Sequence, residues 1–122
     1  MARSVLSPGI FNTMKLSVIV PAYNEEATII QLLELIAANP VENVEFEIIV
    51  IDDGSTDATA EMLEQRSDLY SRLIRMPVNG GKGAAVREGL RHASGDYVLF
   101  QDADLDFHPR EYVKLLQPVW EF

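Results

Sequence analysis

Apolar, β-branched runs alternate along the chain with stretches whose apolar residues recur at helical spacing. Leu16-Ser17-Val18-Ile19-Val20, closed by Pro21, reads as a buried strand. Asn24 is placed to cap the next segment, with Glu25 and Glu26 in a first turn whose dipole favours acids. Ile29, Ile30, Leu32, Leu33, Leu35 and Ile36 then form a broad apolar helix face, which Asn39-Pro40 ends. Phe46 to Ile51 is the second strand, and Gly54-Ser55-Thr56-Asp57 leads into a capped helix with Ala60, Met62 and Leu63 inside. A third strand lies within Tyr70 to Met76 and stops at Pro77. Val78 to Gly83 reads as a flexible loop, and the helix after it, from about Ala84 to Ala93, turns Val86 and Leu90 to the core. Tyr97 to Phe100 is the fourth strand, and Pro109 starts a last helix carrying Tyr112, Val113, Leu115 and Leu116.

Continuous apolar strands alternating with amphipathic helices predict an α/β fold, a mainly parallel sheet with helices on both faces. Right-handed crossovers bring the strand C-termini to one edge, where ligands bind such sheets. Four loops are expected to meet there: Pro21–Glu25, Asp52–Ser55, Asn79–Gly83 and Asp102–Asp106.

Composition narrows what that edge can do. The chain has 122 residues, enough for one domain or part of a larger one, and 48% of them are hydrophobic. Residues 1–14 read as a flexible leader and 15–122 as the folded part; Pro8 and Gly9 break the leader's apolar patch and spoil it as a signal peptide. The net charge is −9 with no basic run, which argues against nucleic-acid binding. There is no cysteine, which excludes disulfides, thiol catalysis and cysteine-based zinc sites. No apolar run is long enough to span a bilayer, and a cytoplasmic location is expected.

The candidate chemistry lies at two acidic strand ends. Asp102, Asp104 and Asp106 alternate after the fourth strand; an extended chain would project them to one side. Carboxylates that close repel one another unless a cation lies between them, and hard divalent ions take oxygen ligands. Asp52-Asp53-Gly54-Ser55 ends the second strand, and its carboxylates suit ribose hydroxyls or base N–H groups; a helix-capping turn would need only one Asp. Gly80-Gly81-Lys82-Gly83 resembles a phosphate cradle before a helix, without the spacing or the Ser/Thr of a Walker A loop. His108 suits a helix start better than a metal site, and Arg87, Arg91 and His92 read as surface residues.

Taken together, Pro21-Ala22-Tyr23-Asn24-Glu25, Asp52-Asp53-Gly54-Ser55-Thr56-Asp57, Asn79-Gly80-Gly81-Lys82-Gly83 and Asp102-Ala103-Asp104 resemble glycosyltransferase family 2. The nearest subgroup resembles dolichol-phosphate mannosyltransferases and related polyprenyl-phosphate hexosyltransferases. The resemblance covers Leu16 to about Val119. It implies the Rossmann-like, nucleotide-sugar-binding fold of GT-A type, in truncated form. It also implies transfer of a sugar from a GDP- or UDP-linked donor, with Mg²⁺ or Mn²⁺, to an acceptor such as a polyprenyl phosphate. Carried over by position, Pro21, Ala22, Tyr23, Glu25, Ile51, Asp53, Lys82, Asp102 and Ala103 would bind the nucleotide. Asp102, Asp104 and Asp106 would hold the metal, Asp106 standing where mannosyltransferase relatives often have Gln. No catalytic base is assigned. The acceptor-binding half is expected to be missing, so the chain reads as a donor-binding portion that is inactive alone. An apolar patch of Leu115, Leu116, Trp120 and Phe122 would favour self-association. A lipid acceptor would place the protein at the cytoplasmic face of the membrane.

Three alternatives share the pattern. A phospho-acceptor receiver domain needs an Asp ending the third strand, where this chain has Arg75-Met76-Pro77. A nucleotidyltransferase resembles a fold with a Gly-rich loop after the first strand, where Pro21-Ala22-Tyr23-Asn24 stands. A non-catalytic nucleotide-binding module is the third.

Overall fold

The computed structural model describes residues 13–120, the last four by their helix alone. The strands are β1 (Met14–Ala22), β2 (Val44–Asp52), β3 (Arg72–Arg75) and β4 (Tyr97–Phe100). The helices are α1 (Ile29–Ala38), α2 (Thr59–Gln65), α3 (Lys82–His92) and α4 (Tyr112–Trp120), with 3₁₀ turns at Ser67–Leu69 and Pro109–Glu111. The sheet is parallel throughout, in the order β3-β2-β1-β4.

β1 is longer than its apolar run. It begins at Met14, so that residue belongs to the sheet rather than to a leader, and it runs through Pro21 to Ala22 in register with β2 up to Asp52. A proline is tolerated in this central strand because of where its missing N–H faces. Alternate residues bond opposite neighbours: Ile19 O accepts from Gln101 N on the β4 side, and Ala22 O from Asp53 N on the β2 side. Pro21 faces β4, whose pairing stops at Ile19, so no ladder bond is lost.

The pleat divides the core in two. Leu16, Val18, Val20, Ile48 and Val50 join Ile29, Leu32, Leu33 and Ile36 of α1, together with Leu63, Tyr112 and Leu116, in the larger cluster. Ile19, Ile49, Ile51 and Ala85 form the smaller cluster under α3. Helices thus cover both faces, as the alternation predicts, though unequally. β4 leaves Tyr97, Val98 and Phe100 exposed, contrary to the expectation of a strand buried on both sides.

Two helix readings need correction. α3 buries Ala85 and Gly89, not Val86 and Leu90; Leu90 is 43% exposed. Small residues let the helix backbone lie against the sheet. A Cβ on Gly89 would stand 2.7 Å from Ile19 Cγ2 and 2.8 Å from Ile51 Cδ1. Asn24 does not cap α1, which starts five residues later; it adopts a left-handed φ of 53° and reaches across to the loop before α2. In the last helix Leu116 is buried and Leu115 exposed, while Trp120 and Phe122 lie outside the described side chains.

Candidate active site

The C-terminal ends of β1, β2 and β4 and the start of α3 enclose an open cleft of about 280 Å³. Pro21, Ala22, Tyr23 and Glu25 line it from the first loop, Asp53 from the second, Asn79, Gly81, Lys82 and Ala85 from the third, and Asp102, Ala103 and Asp104 from the fourth. The loops predicted to converge therefore do so. Tyr23 is 44% exposed and presents a flat apolar ring.

The first two loops are clasped together. Asn24 Oδ1 accepts from Thr56 N at 2.8 Å and Asp57 N at 3.2 Å, and Asn24 N donates to Ser55 Oγ at 2.9 Å. Glu25 N donates to Thr59 Oγ1 at 2.9 Å, and Glu26 Oε1 accepts from Ala58 N at 2.9 Å. Burial pushes the Asp57 carboxyl up, but bonds from Thr59 and Glu26 outweigh it and hold that carboxyl below its usual range. The acids read as a first helical turn thus act as a brace across two loops.

Asp52 and Asp53 are both buried, and both are held by the protein. Asp52 Oδ1 accepts from Ser55 N at 3.1 Å, closing the turn, and Oδ2 lies 3.8 Å from Arg75 Nε. Asp53 Oδ1 accepts from Gly80 N at 2.9 Å; its Oδ2 accepts from Gly81 N at 2.9 Å and Asn79 Nδ2 at 3.1 Å. The glycine amides read as a phosphate cradle are thus bonded to a carboxylate, and the loop read as flexible is fixed at three points. Gly54 permits the approach. Its φ is +73°, and a Cβ there would stand 2.5 Å from Asn79 N.

Asp102 and Asp104 are exposed in the cleft. Lys82 Nζ makes an ion pair with Asp102 Oδ1. Thr28 Oγ1 donates to the Ala103 carbonyl at 2.5 Å, tying the turn to the approach of α1. The extended projection of three aspartates is not found. The chain turns after Phe100, Leu105 takes a left-handed φ of 70°, and Asp104 Oδ1 accepts from Asp106 N at 3.1 Å. Asp106 stays outside the cleft lining, and among the described residues no group of three or more His, Cys, Asp or Glu is placed to hold a metal ion. The donor set fits two carboxylates completed by a ligand's own oxygens, not a protein cage of three. His108 accepts from Arg110 N at 3.0 Å and starts the turn before α4.

Ile51 also departs from expectation. Its side chain is fully buried with Ile19 and Ile49 under α3 and does not reach the cleft. Asn79 and Ala85 line the cleft without having been singled out; Asn79 stands inside a quoted motif, while Ala85 carries no sequence signal beyond its size.

The chain matches the family model described as Glycosyl transferase family 2 over residues 17–121. This chain belongs to glycosyltransferase family 2. Family members similar to it include poly(ribitol-phosphate) beta-N-acetylglucosaminyltransferase TarS of Staphylococcus aureus, 41% identical over 103 residues, 83% of this chain and 18% of that protein. The crystal structure of TarS 1-349 with UDP-GlcNAc superposes with a TM-score of 0.74 at 36% identity, covering 88% of this chain and 31% of that one. Dolichol-phosphate mannosyltransferase of Pyrococcus furiosus is 37% identical over 107 residues, 87% of this chain and 30% of that protein. Mannosyltransferase PcManGT of Pyrobaculum calidifontis, solved with GDP-Man and Mn²⁺, superposes with a TM-score of 0.68 at 33% identity, covering 81% of this chain and 30% of that one. The chain thus spans less than a third of the length of these relatives. Its fold is the GT-A type of the family, and family membership sets aside the receiver and nucleotidyltransferase readings. No helix among the described residues is long and apolar enough to cross a membrane.

Proposed function

We propose that this chain binds the donor in a glycosyltransferase that uses a nucleoside-diphosphate sugar and a divalent cation. The observation that carries this reading is the charge of the cleft: among the described residues Glu25, Asp53, Asp102 and Asp104 face a single ammonium, that of Lys82. A diphosphate entering that field is repelled unless a cation accompanies it. Relatives solved with UDP-GlcNAc and with GDP-Man and Mn²⁺ support the same choice of ligands.

The roles follow from position. Tyr23 offers its ring to the base, and Pro21 and Ala22 border it. Asp53 reaches the nucleoside with the lone pair of Oδ1 that Gly80 leaves free. Asp102 and Asp104 are the residues that would hold Mg²⁺ or Mn²⁺, which when bound offsets the charge of the diphosphate as it leaves. Lys82, released from Asp102, follows the diphosphate oxygens. Sugar transfer runs through an oxocarbenium-like state, so stabilising the leaving group is the donor half's main contribution. For the acceptor we propose a polyprenyl phosphate, supported by the likeness to dolichol-phosphate mannosyltransferase. A phosphate is already ionised near neutral pH and needs little help from a general base.

Calorimetry with UDP and GDP, with Mn²⁺ or Mg²⁺ and then with chelator, tests the donor reading. Binding that strengthens with the ion is expected, and equal binding in chelator refutes the cation's role.

A further inference from the structure

The turn that carries Asp102 and Asp104 is closed by a buried amide. Gln101 is 1% exposed. Its Nε2 donates to the Asp102 carbonyl at 3.1 Å and to the Phe107 carbonyl at 2.9 Å, the two ends of the 102–107 loop. Its Oε1 accepts from Tyr112 Oη at 2.6 Å. Two carbonyls can only accept, so they fix which end of the amide faces the loop, and the Tyr112 hydroxyl must donate to the other. Tyr112 is itself enclosed by the core. It is fully buried, with the Phe46 ring edge-on at 5.8 Å and the Phe107 ring stacked at 6.2 Å. Burial holds its hydroxyl far above the usual phenol range, so it remains a neutral donor. A buried primary amide is costly unless its bonds are made. Here both protons and the oxygen are used, and two of the three bonds go to the backbone that presents Asp102 and Asp104.

We propose that Gln101, locked by Tyr112, is a positioning residue for the cation- and diphosphate-binding turn. It staples the two ends of the 102–107 loop and so fixes where the two carboxylates stand. What the turn binds rests on the reading given under Proposed function; the staple does not.

The test uses the full chain with Gln101→Leu, Tyr112→Phe and the double variant. Hydrogen exchange is followed in 102–107 and, as a control, in β1 and β2. Mn²⁺ uptake is read from the electron paramagnetic resonance of the free ion, with UDP or GDP present, and nucleotide affinity is measured separately in chelator. Gln101→Leu removes both bonds to the loop backbone and is expected to speed exchange in the loop by at least about tenfold, with the strands unchanged. Mn²⁺ affinity should fall by a similar factor, while affinity in chelator holds. Tyr112→Phe should act in the same direction, more weakly, and the double variant should be no worse than Gln101→Leu. Unchanged loop exchange overturns the staple. Exchange that rises equally in β1 and β2 also overturns it, because it marks general destabilisation. A loosened loop with unaltered Mn²⁺ affinity overturns the positioning role. Absence of Mn²⁺ uptake by the wild-type chain with either nucleotide refutes the cation reading and the positioning role with it, while exchange still decides the staple.

Discussion

Replacing Asp53 by Asn separates a residue that only touches the ligand from one that builds the site. The carboxylate takes three protons from the 79–81 segment and is 3% exposed. An amide has one acceptor. With its oxygen in the place of Oδ2 it keeps Gly81 and Asn79 but turns its NH₂ toward the Gly80 N–H; reversed, it loses two bonds instead of one. The better orientation leaves a buried donor unmet, at about 1–3 kcal/mol, and removes charge assistance from two remaining bonds, at about 1 kcal/mol in all. A loss of about 3 kcal/mol lowers the melting temperature of a chain this size by roughly 10 °C. Nucleotide affinity should fall as well, because Gly81 and Lys82 line the cleft from the loop that is released. Thermal melting with and without UDP or GDP, beside calorimetry in chelator, reads both effects. A melting temperature within about 2 °C of wild type with affinity lost would show that Asp53 acts on the ligand alone, and the structural account of the 79–81 loop would fail.

Three further outcomes follow from the same geometry. Asp104→Ala should abolish the ion-dependent increment in nucleotide affinity and leave binding in chelator unchanged, as calorimetry will read; a loss in chelator would refute that assignment. Gly89→Ala should cost about 1–2 kcal/mol in thermal melting despite its better helix propensity, because the new methyl meets Ile19 and Ile51 at under 3 Å. Burial raises the Glu47 carboxyl, but bonds from Ser17 and Ser94 and the charge of Lys15 outweigh it and hold its pKa below 4.5. Its stabilisation is therefore complete above that value and lost as pH falls through the folded pKa. Glu47→Gln should be about 1–2 kcal/mol less stable than wild type at neutral pH, and the melting curves should converge as the pH falls below the folded pKa of Glu47.

The strands and their order along the chain were legible in the sequence because a parallel sheet buried on both faces demands near-continuous apolar runs, and Leu16–Val20 and Phe46–Ile51, interrupted only by Ser17 and Glu47, supply them. The convergence of four loops followed from handedness alone. What stayed hidden depended on contacts between distant segments. The buried face of α3 is made by Ala85 and Gly89, residues that carry no hydrophobic signal and matter only because Ile19 and Ile51 lie beneath them. Asn24 has the local pattern of a helix cap, and nothing near it in sequence tells that its amide serves the loop thirty residues on. Ile51 stands beside Asp52 and Asp53 in sequence, yet the pleat turns it into the core.

The same dependence explains why acidic residues that look alike in sequence divide so sharply in the fold. Asp52 ends, and Asp53 follows, a strand long enough to carry them inside, where the backbone of Ser55, Gly80 and Gly81 meets them. Their carboxylates are hydrogen-bonded by the protein before any ligand arrives, and they set the loops that frame the cleft. Asp102 and Asp104 follow β4, whose pairing with β1 ends at Phe100, so the chain leaves the sheet early and turns in the open. Among the described residues the only cation lining the cleft, Lys82, stands on Asp102, and Asp104 is bonded only within its own turn. A strand whose pairing stops three residues short of the end of its neighbour β1 thus makes the difference between a carboxylate that builds the site and one left exposed in the cleft.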